Sequence, residues 1–259
     1  MRRAPARSRH LTRAALLLAL AGGAAAAFGQ SATPGLELST GRQQLSNGSP
    51  DWTEHAARLS LRRGMREYSE LGLVQTERFG LRDDQLTGVV VRPLDERLTA
   101  TLDASLSPTH RVLARHQLGG SLQYEFASAW LVHGGLRHTR YESNVVNQGH
   151  LMLEHYVGNF GWLAAWRPVH TQGRDTASLE LRGSYYYGER SAASLSLSDG
   201  REAVLVGGGD VRLADVRAAV LSGRQWLRPD WALNYEWGVT HQGDFYTRRG
   251  WRIGVQHLF

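Results

Sequence analysis

The chain has 259 residues, of which 42% are hydrophobic and 21% charged, with no cysteine and a formal net charge of +6. Disulfides, cysteine nucleophiles and thiolate metal sites are therefore excluded, and an exported chain of this size must take its stability from its architecture. Five of the 30 basic residues are Arg2, Arg3, Arg7, Arg9 and Arg13; without them 25 arginines face 24 acidic residues, a balance of +1 that leaves no footprint for nucleic acid.

Those five arginines open the chain as a basic segment. An apolar run follows over residues 14–27, with Leu16-Leu17-Leu18 at its centre, and small residues then offer cleavage after Ala27 or Gly29. This is the pattern of a secretory signal, too short for a spanning helix of about 20 residues. Residues 1–29 are read as a signal peptide and 30–259 as one domain. The remainder has no long apolar run, so a membrane form of it must be a closed barrel, the non-helical way to satisfy every backbone group in lipid.

From residue 35 onward, period-2 segments recur, broken by Gly, Asn, Asp and Pro. Side chains in a strand alternate between two faces. In 97–107, Leu98, Ala100, Leu102, Ala104 and Leu106 alternate with Thr99, Thr101, Asp103 and Ser105. Similar alternation runs through 176–188 and 230–242. No segment carries the i, i+3, i+4, i+7 spacing of an amphipathic helix. The pattern predicts fourteen strands, at 35–44, 52–63, 66–77, 84–92, 97–107, 115–126, 129–141, 146–157, 159–169, 176–188, 191–198, 213–225, 230–242 and 248–259. Merging a strand pair would give twelve, with 84–92 and 191–198 the least regular. Odd connections at 45–51, 78–83, 108–114, 170–176 and 199–212 are longer than the even ones, as expected of a barrel with both termini in the periplasm.

Trp and Tyr gather at strand ends, where interfacial girdles use them. The last strand places Trp251, Ile253, Val255 and Phe259 on one parity and stops on an aromatic residue. A terminal Phe is similar to the signal that outer-membrane barrels present to the barrel-assembly machinery. The fold expected is thus an all-β, antiparallel up-and-down transmembrane barrel of the cell outer membrane, handled by that machinery and by periplasmic chaperones and surrounded by membrane lipid and lipopolysaccharide.

The order of several short motifs resembles the YaiO family of outer-membrane β-barrels: Arg78-Phe79-Gly80 followed by Asp83, Val91-Arg92-Pro93-Leu94, Tyr156-Val157-Gly158-Asn159-Phe160, Tyr186-Tyr187-Gly188, and the Phe-terminal strand. The resemblance spans most of the domain. It implies a barrel of no defined chemistry; an association with polysaccharide export or surface components is an expectation from the resemblance alone. Some members carry a helical-repeat module ahead of the barrel, and none is expected here.

If the apolar parity faces lipid, the other parity faces the lumen. Glu54, Arg58, Arg62, Glu70, Asp103, Glu180, Arg182, Asp215, Arg217, Glu236 and Arg252 are then lumen-lining, because Arg near the bilayer midplane costs about 2–4 kcal/mol. Such residues either line a water-filled channel or pair across a filled interior. The Gly207-Gly208-Gly209 loop is a candidate to narrow the opening. Passive transport or a structural role is expected, with no catalytic residue, metal or cofactor. The alternative is a lipid-modifying barrel enzyme. None of the 11 histidines is followed by Ser at i+2, which leaves His138 with Glu142 and Ser143 as the best cluster for a nucleophile and base. His150 and Glu154 share a face about 13 Å apart, too far for one metal. Asp51, Asp83, Asp175 and Asp210 are read as solvated turn residues.

Overall fold

The computed structural model describes residues 32–64, 66–207 and 210–259, apart from the side chains of 205–211. The expected signal peptide and the Gly208-Gly209 pair lie outside the described residues.

Fourteen strands form one closed, wholly antiparallel barrel. They are β1 (Thr33–Leu45), β2 (Trp52–Arg62), β3 (Tyr68–Arg78), β4 (Leu81–Pro93), β5 (Leu98–Leu106), β6 (His116–Ala127), β7 (Trp130–Arg140), β8 (Val145–Val157), β9 (Phe160–Thr171), β10 (Arg174–Tyr187), β11 (Ser191–Gly207), β12 (Asp210–Trp226), β13 (Trp231–Gln242) and β14 (Tyr246–Leu258). Each pairs with its chain neighbours, and β1 pairs with β14 from Gly35↔Leu258 to Leu45↔Arg248. All fourteen expected strands are present, and the twelve-strand alternative is excluded. An even strand number brings both termini to one end, the periplasmic one in such barrels.

The expected alternation of long and short connections does not hold. The 78–83 connection is the tight turn Phe79-Gly80, with φ of 52° and 75°, and the 170–176 connection is Gln172-Gly173, with φ of 52° and 69°. Two consecutive positive φ values are the mark of a type I′ hairpin, whose twist matches the strands it joins. Residues 199–207, read as loop, continue β11 against β12. Backbone groups beyond the bilayer still gain from pairing, and polar side chains do not break a ladder, so polarity alone misplaced the strand ends.

The two faces of the wall differ sharply. Leu136, Leu181, Trp162 and Trp237 on the outer face are 75%, 63%, 57% and 56% exposed, an apolar surface that requires lipid around it. The inner face carries buried Thr76, Thr99, Ser178 and Thr139. At the periplasmic end the outer face ends in rings: Tyr185 lies 5.1 Å from Phe160 and stacks on Tyr187 at 5.9 Å, and Trp130 stacks on His155 at 3.8 Å. Such rings place an apolar body in lipid and a polar edge in the interface.

Trp251, Ile253, Val255 and Phe259 are all on the outer side and exposed. Phe259 N–H donates to the Pro34 carbonyl at 3.0 Å across the β1–β14 seam, and the His257 ring sits 4.7 Å from Phe259 and 4.5 Å from Trp231. Phe259→Ala, or a polar tail after Phe259, is expected to lower the yield of folded barrel several-fold, read as the heat-modifiable band on a gel of outer membranes. Normal yields from both variants would make the terminal ring incidental to assembly.

Candidate functional site

Residues opposite one another in an antiparallel ladder share a face. The pairs Glu37↔Arg58, Ser60↔Glu70, Val89↔Asp103 and Gly119↔Arg137 therefore carry one inward face around the barrel. Glu180, Arg182, Glu236 and Arg252 continue it through β10, β13 and β14. Glu54 and Arg62 stand on the inward parity of β2.

These charges meet one another in small networks. Arg58 lies 3.3 Å from Glu37 and 3.8 Å from Glu70. Glu37 also accepts from Asn234 at 2.6 Å, and Asn234 accepts from Arg224 at 2.7 Å. Glu180 takes Arg167 at 2.5 Å and Arg182 at 2.7 Å. Asp103 pairs with Arg137 at 3.2 Å and Glu236 with Arg252 at 3.5 Å. Glu154 accepts from Tyr156 at 2.7 Å and lies 3.0 Å from His133. Glu37, Arg137, Arg167 and Arg224 escaped the reading of the sequence, and Glu154 was weighed there only as a metal ligand with His150. Arg167 shows why: its own parity in β9 includes Leu163, Ala165 and Val169, so that strand has no polar stripe to read. A cavity of about 540 Å³ runs between Glu37, Arg58, Glu70, Arg224, Asn234 and Glu236.

Asp215 and Arg217 are not in the lumen. Both point outward, Arg217 to Asp199 at 2.7 Å and Asp215 to Arg201 at 3.1 Å, with Arg217 78% and Asp215 76% exposed. Their strand parity is inverted because Ala214 and Val216 turn inward to join an apolar layer with Val204. At that height the outer side of the hairpin faces water, where charge costs little.

That layer lies inside the outer end of the barrel. Val112, Val146 and Val169 pack together with Leu81, Leu113, Tyr141 and Phe79; Leu45, Trp52 and Tyr246 pack with Phe79 and Phe245; and Phe245 reaches the Val204 cluster. Phe79 and Phe245 thus join three clusters into one apolar layer. Trp52, Phe79 and Tyr246 meet edge to face at 5.2, 5.8 and 6.2 Å. The Arg78 and Arg248 guanidiniums lie 4.7 and 5.1 Å from the Trp52 ring.

Residues 107–115, of which 108–114 were expected as an extracellular connection, fold into the mouth and bring Val112 to 1% exposure. Asp83 holds them there. Its side chain is fully buried, not a solvated turn residue. Its Oδ2 accepts from Val112 N–H at 2.7 Å and Leu113 N–H at 2.9 Å, and Oδ1 lies 3.5 Å from the Arg111 guanidinium. Arg111 also donates to the Arg82 carbonyl. Asp51 and Asp175 are engaged as well, with Arg42 at 2.6 Å and His170 at 2.6 Å; the Asp210 side chain lies outside the described residues.

The family described as YaiO membrane beta barrel domain matches residues 34–204. The chain belongs to the YaiO family. It is an outer-membrane β-barrel, as the motif order implied. A search of curated proteins gave no match. Among solved structures, the KdgM porin is 12% identical at a TM-score of 0.50, covering 86% of this chain and 99% of that one. The CymD monoaromatic hydrocarbon channel is 11% identical at 0.58, covering 90% and 89%. Likeness at such identity speaks for the fold.

In this YaiO barrel the histidine cluster proposed from sequence is divided. His138 faces outward, 2.8 Å from Asn147 through Nδ1 and stacked on His116 at 6.2 Å. Glu142 is 2.7 Å from His110 instead, and Ser143 accepts from Asn144. His150 and Glu154 both face inward, with Glu154 committed to His133 and Tyr156. Among the described residues no three His, Asp or Glu side chains converge as a metal site would require.

Proposed function

We propose that this YaiO barrel is a passive, non-catalytic channel for small polar solutes, shut at its outer mouth in the resting state. One observation carries the reading. A polar, ion-paired interior ends at an apolar seal that rests on non-covalent contacts, with one carboxylate holding the sealing loop. Were the barrel purely structural, its interior would be expected to be filled throughout, whereas a cavity of about 540 Å³ remains beneath the seal. The names porin and channel borne by two barrels of similar fold agree with this.

Both charge signs alternate around the inner face, and most carboxylates there already hold an arginine. The open channel should therefore discriminate weakly between anions and cations. Purified protein in a planar bilayer is expected to be mostly closed, with brief discrete openings whose reversal potential in a KCl gradient stays near zero. Silence at every voltage, from the wild type and from a variant lacking residues 109–113, overturns the channel reading.

A further inference from the structure

We infer that the outer face of the β13–β14–β1 seam seats one phosphorylated glycolipid of the outer leaflet, with Arg42 and Arg249 holding a phosphate monoester on its headgroup. Arg42 stands opposite Trp251 and Arg249 opposite Gln44, so the two arginines are diagonal neighbours on adjacent strands. Such neighbours lie about 7–8 Å apart, within joint reach of one phosphate for two long side chains. Both are exposed. Arg42 shares the parity of Leu38, and Arg249 that of Trp251 and Ile253, the face that meets lipid.

Their height is that of lipid headgroups. From His257, beside Trp231 and Phe259 at the periplasmic end, β14 climbs to Arg249. That stretch rises about 20 Å along the membrane normal, at about 3.3 Å per residue and a tilt of about 40°. The apolar band of such a barrel is about 25 Å tall, so Arg249 stands close under its outer edge and its long side chain reaches the headgroups. Toward the bilayer centre, the exposed Trp237 and Trp251 stand opposite each other across the β13–β14 ladder and offer an apolar floor to acyl chains.

The guanidiniums have donors to spare. Arg42 gives its Nε–H to Asp51 at 2.6 Å, a bond that orients the group and leaves its two terminal nitrogens. Arg249 makes no ion pair among the described residues, whereas the outward Arg217 and Arg201 each hold an aspartate. A planar guanidinium takes phosphate oxygens as a fork. A phosphate monoester presents three terminal oxygens, enough for a fork from each arginine, and a phosphodiester only two.

The seat is tested on purified full-length barrel in detergent micelles, titrated with bisphosphorylated lipid A, with the same lipid dephosphorylated, and with phosphatidylglycerol. Native mass spectrometry counts the lipid retained. The expected result is one lipid A per barrel, with each of the other two lipids bound about 10-fold more weakly. Arg249→Gln should weaken lipid A binding about 10-fold, and Arg42→Gln with Arg249→Gln about 100-fold. Arg217→Gln, on the β11–β12 ribbon, should bind like the wild type. Heat-modifiability shows that each variant is folded. Undiminished binding by the folded double variant, equal binding of the dephosphorylated lipid, or an equal loss in Arg217→Gln overturns the seat. Phosphatidylglycerol bound as tightly as lipid A overturns the assignment to a phosphate monoester.

Discussion

Asp83→Ala is expected to open the barrel, raising the open fraction in planar bilayers by about 10²–10³-fold. The side chain supplies two charge-assisted hydrogen bonds to the sealing loop and stands 3.5 Å from Arg111. Such bonds contribute about 1.5–3 kcal/mol each, and their removal strands two buried N–H groups, so the closed state loses on the order of 3–5 kcal/mol. At about 1.4 kcal/mol per tenfold, the equilibrium moves by two to three decades. The loop keeps its apolar hold through Val112, about 1.5–3 kcal/mol, so the variant should flicker and not stand permanently open. Asp83→Asn keeps an acceptor and loses only the charge, with an expected rise of about tenfold. Cells carrying Asp83→Ala should also take up large polar antibiotics faster. A folded Asp83→Ala barrel as quiet as the wild type would show that Asp83 does not hold the gate.

Leu181→Arg should destabilise the folded barrel by about 2–4 kcal/mol, the cost of arginine at the bilayer midplane. Leu181 is near the middle of β10, 63% exposed on the outer face, with Leu197 and Ala164 as outward neighbours across the ladder. Neither residue directly opposite it can pair with a guanidinium. Arg217→Ala provides the contrast. It removes an exposed ion pair above the bilayer and should change stability by less than about 1 kcal/mol. Equilibrium unfolding in urea, with the protein in lipid vesicles, separates the two. Near-equal midpoints would mean that the outer face at Leu181 does not meet lipid.

Strand number and closure were legible because a period of two is imposed on every wall segment by lipid on one side and water on the other. Leu98 to Leu106 could hardly be read otherwise. The inward face was legible wherever the interior is wet, hence Arg58, Glu70, Asp103 and Glu180. The reading failed where the interior turns dry. At the outer mouth the apolar parity points inward, so Val216 and Ala214 looked lipid-facing and Asp215 and Arg217 looked luminal. The seal was invisible for a related reason. Its members, Trp52, Phe79, Val112, Val169 and Tyr246, are scattered along the chain and meet only after closure. Asp83 carried no mark either, since an aspartate beside a tight turn usually faces water. Phe79 was equally unmarked, because its left-handed backbone, φ 52°, shows only in the folded turn.

The long β11–β12 ribbon, with Arg201–Asp215 and Arg217–Asp199 on its outer side, gives the barrel two unlike exteriors. On the outer side of that ribbon the described charges balance, two arginines against two aspartates. The outward side chains of Asp199, Arg201, Asp215 and Arg217 pair with one another. Charge-conserving substitutions in these exposed pairs should therefore leave the fold of the barrel intact.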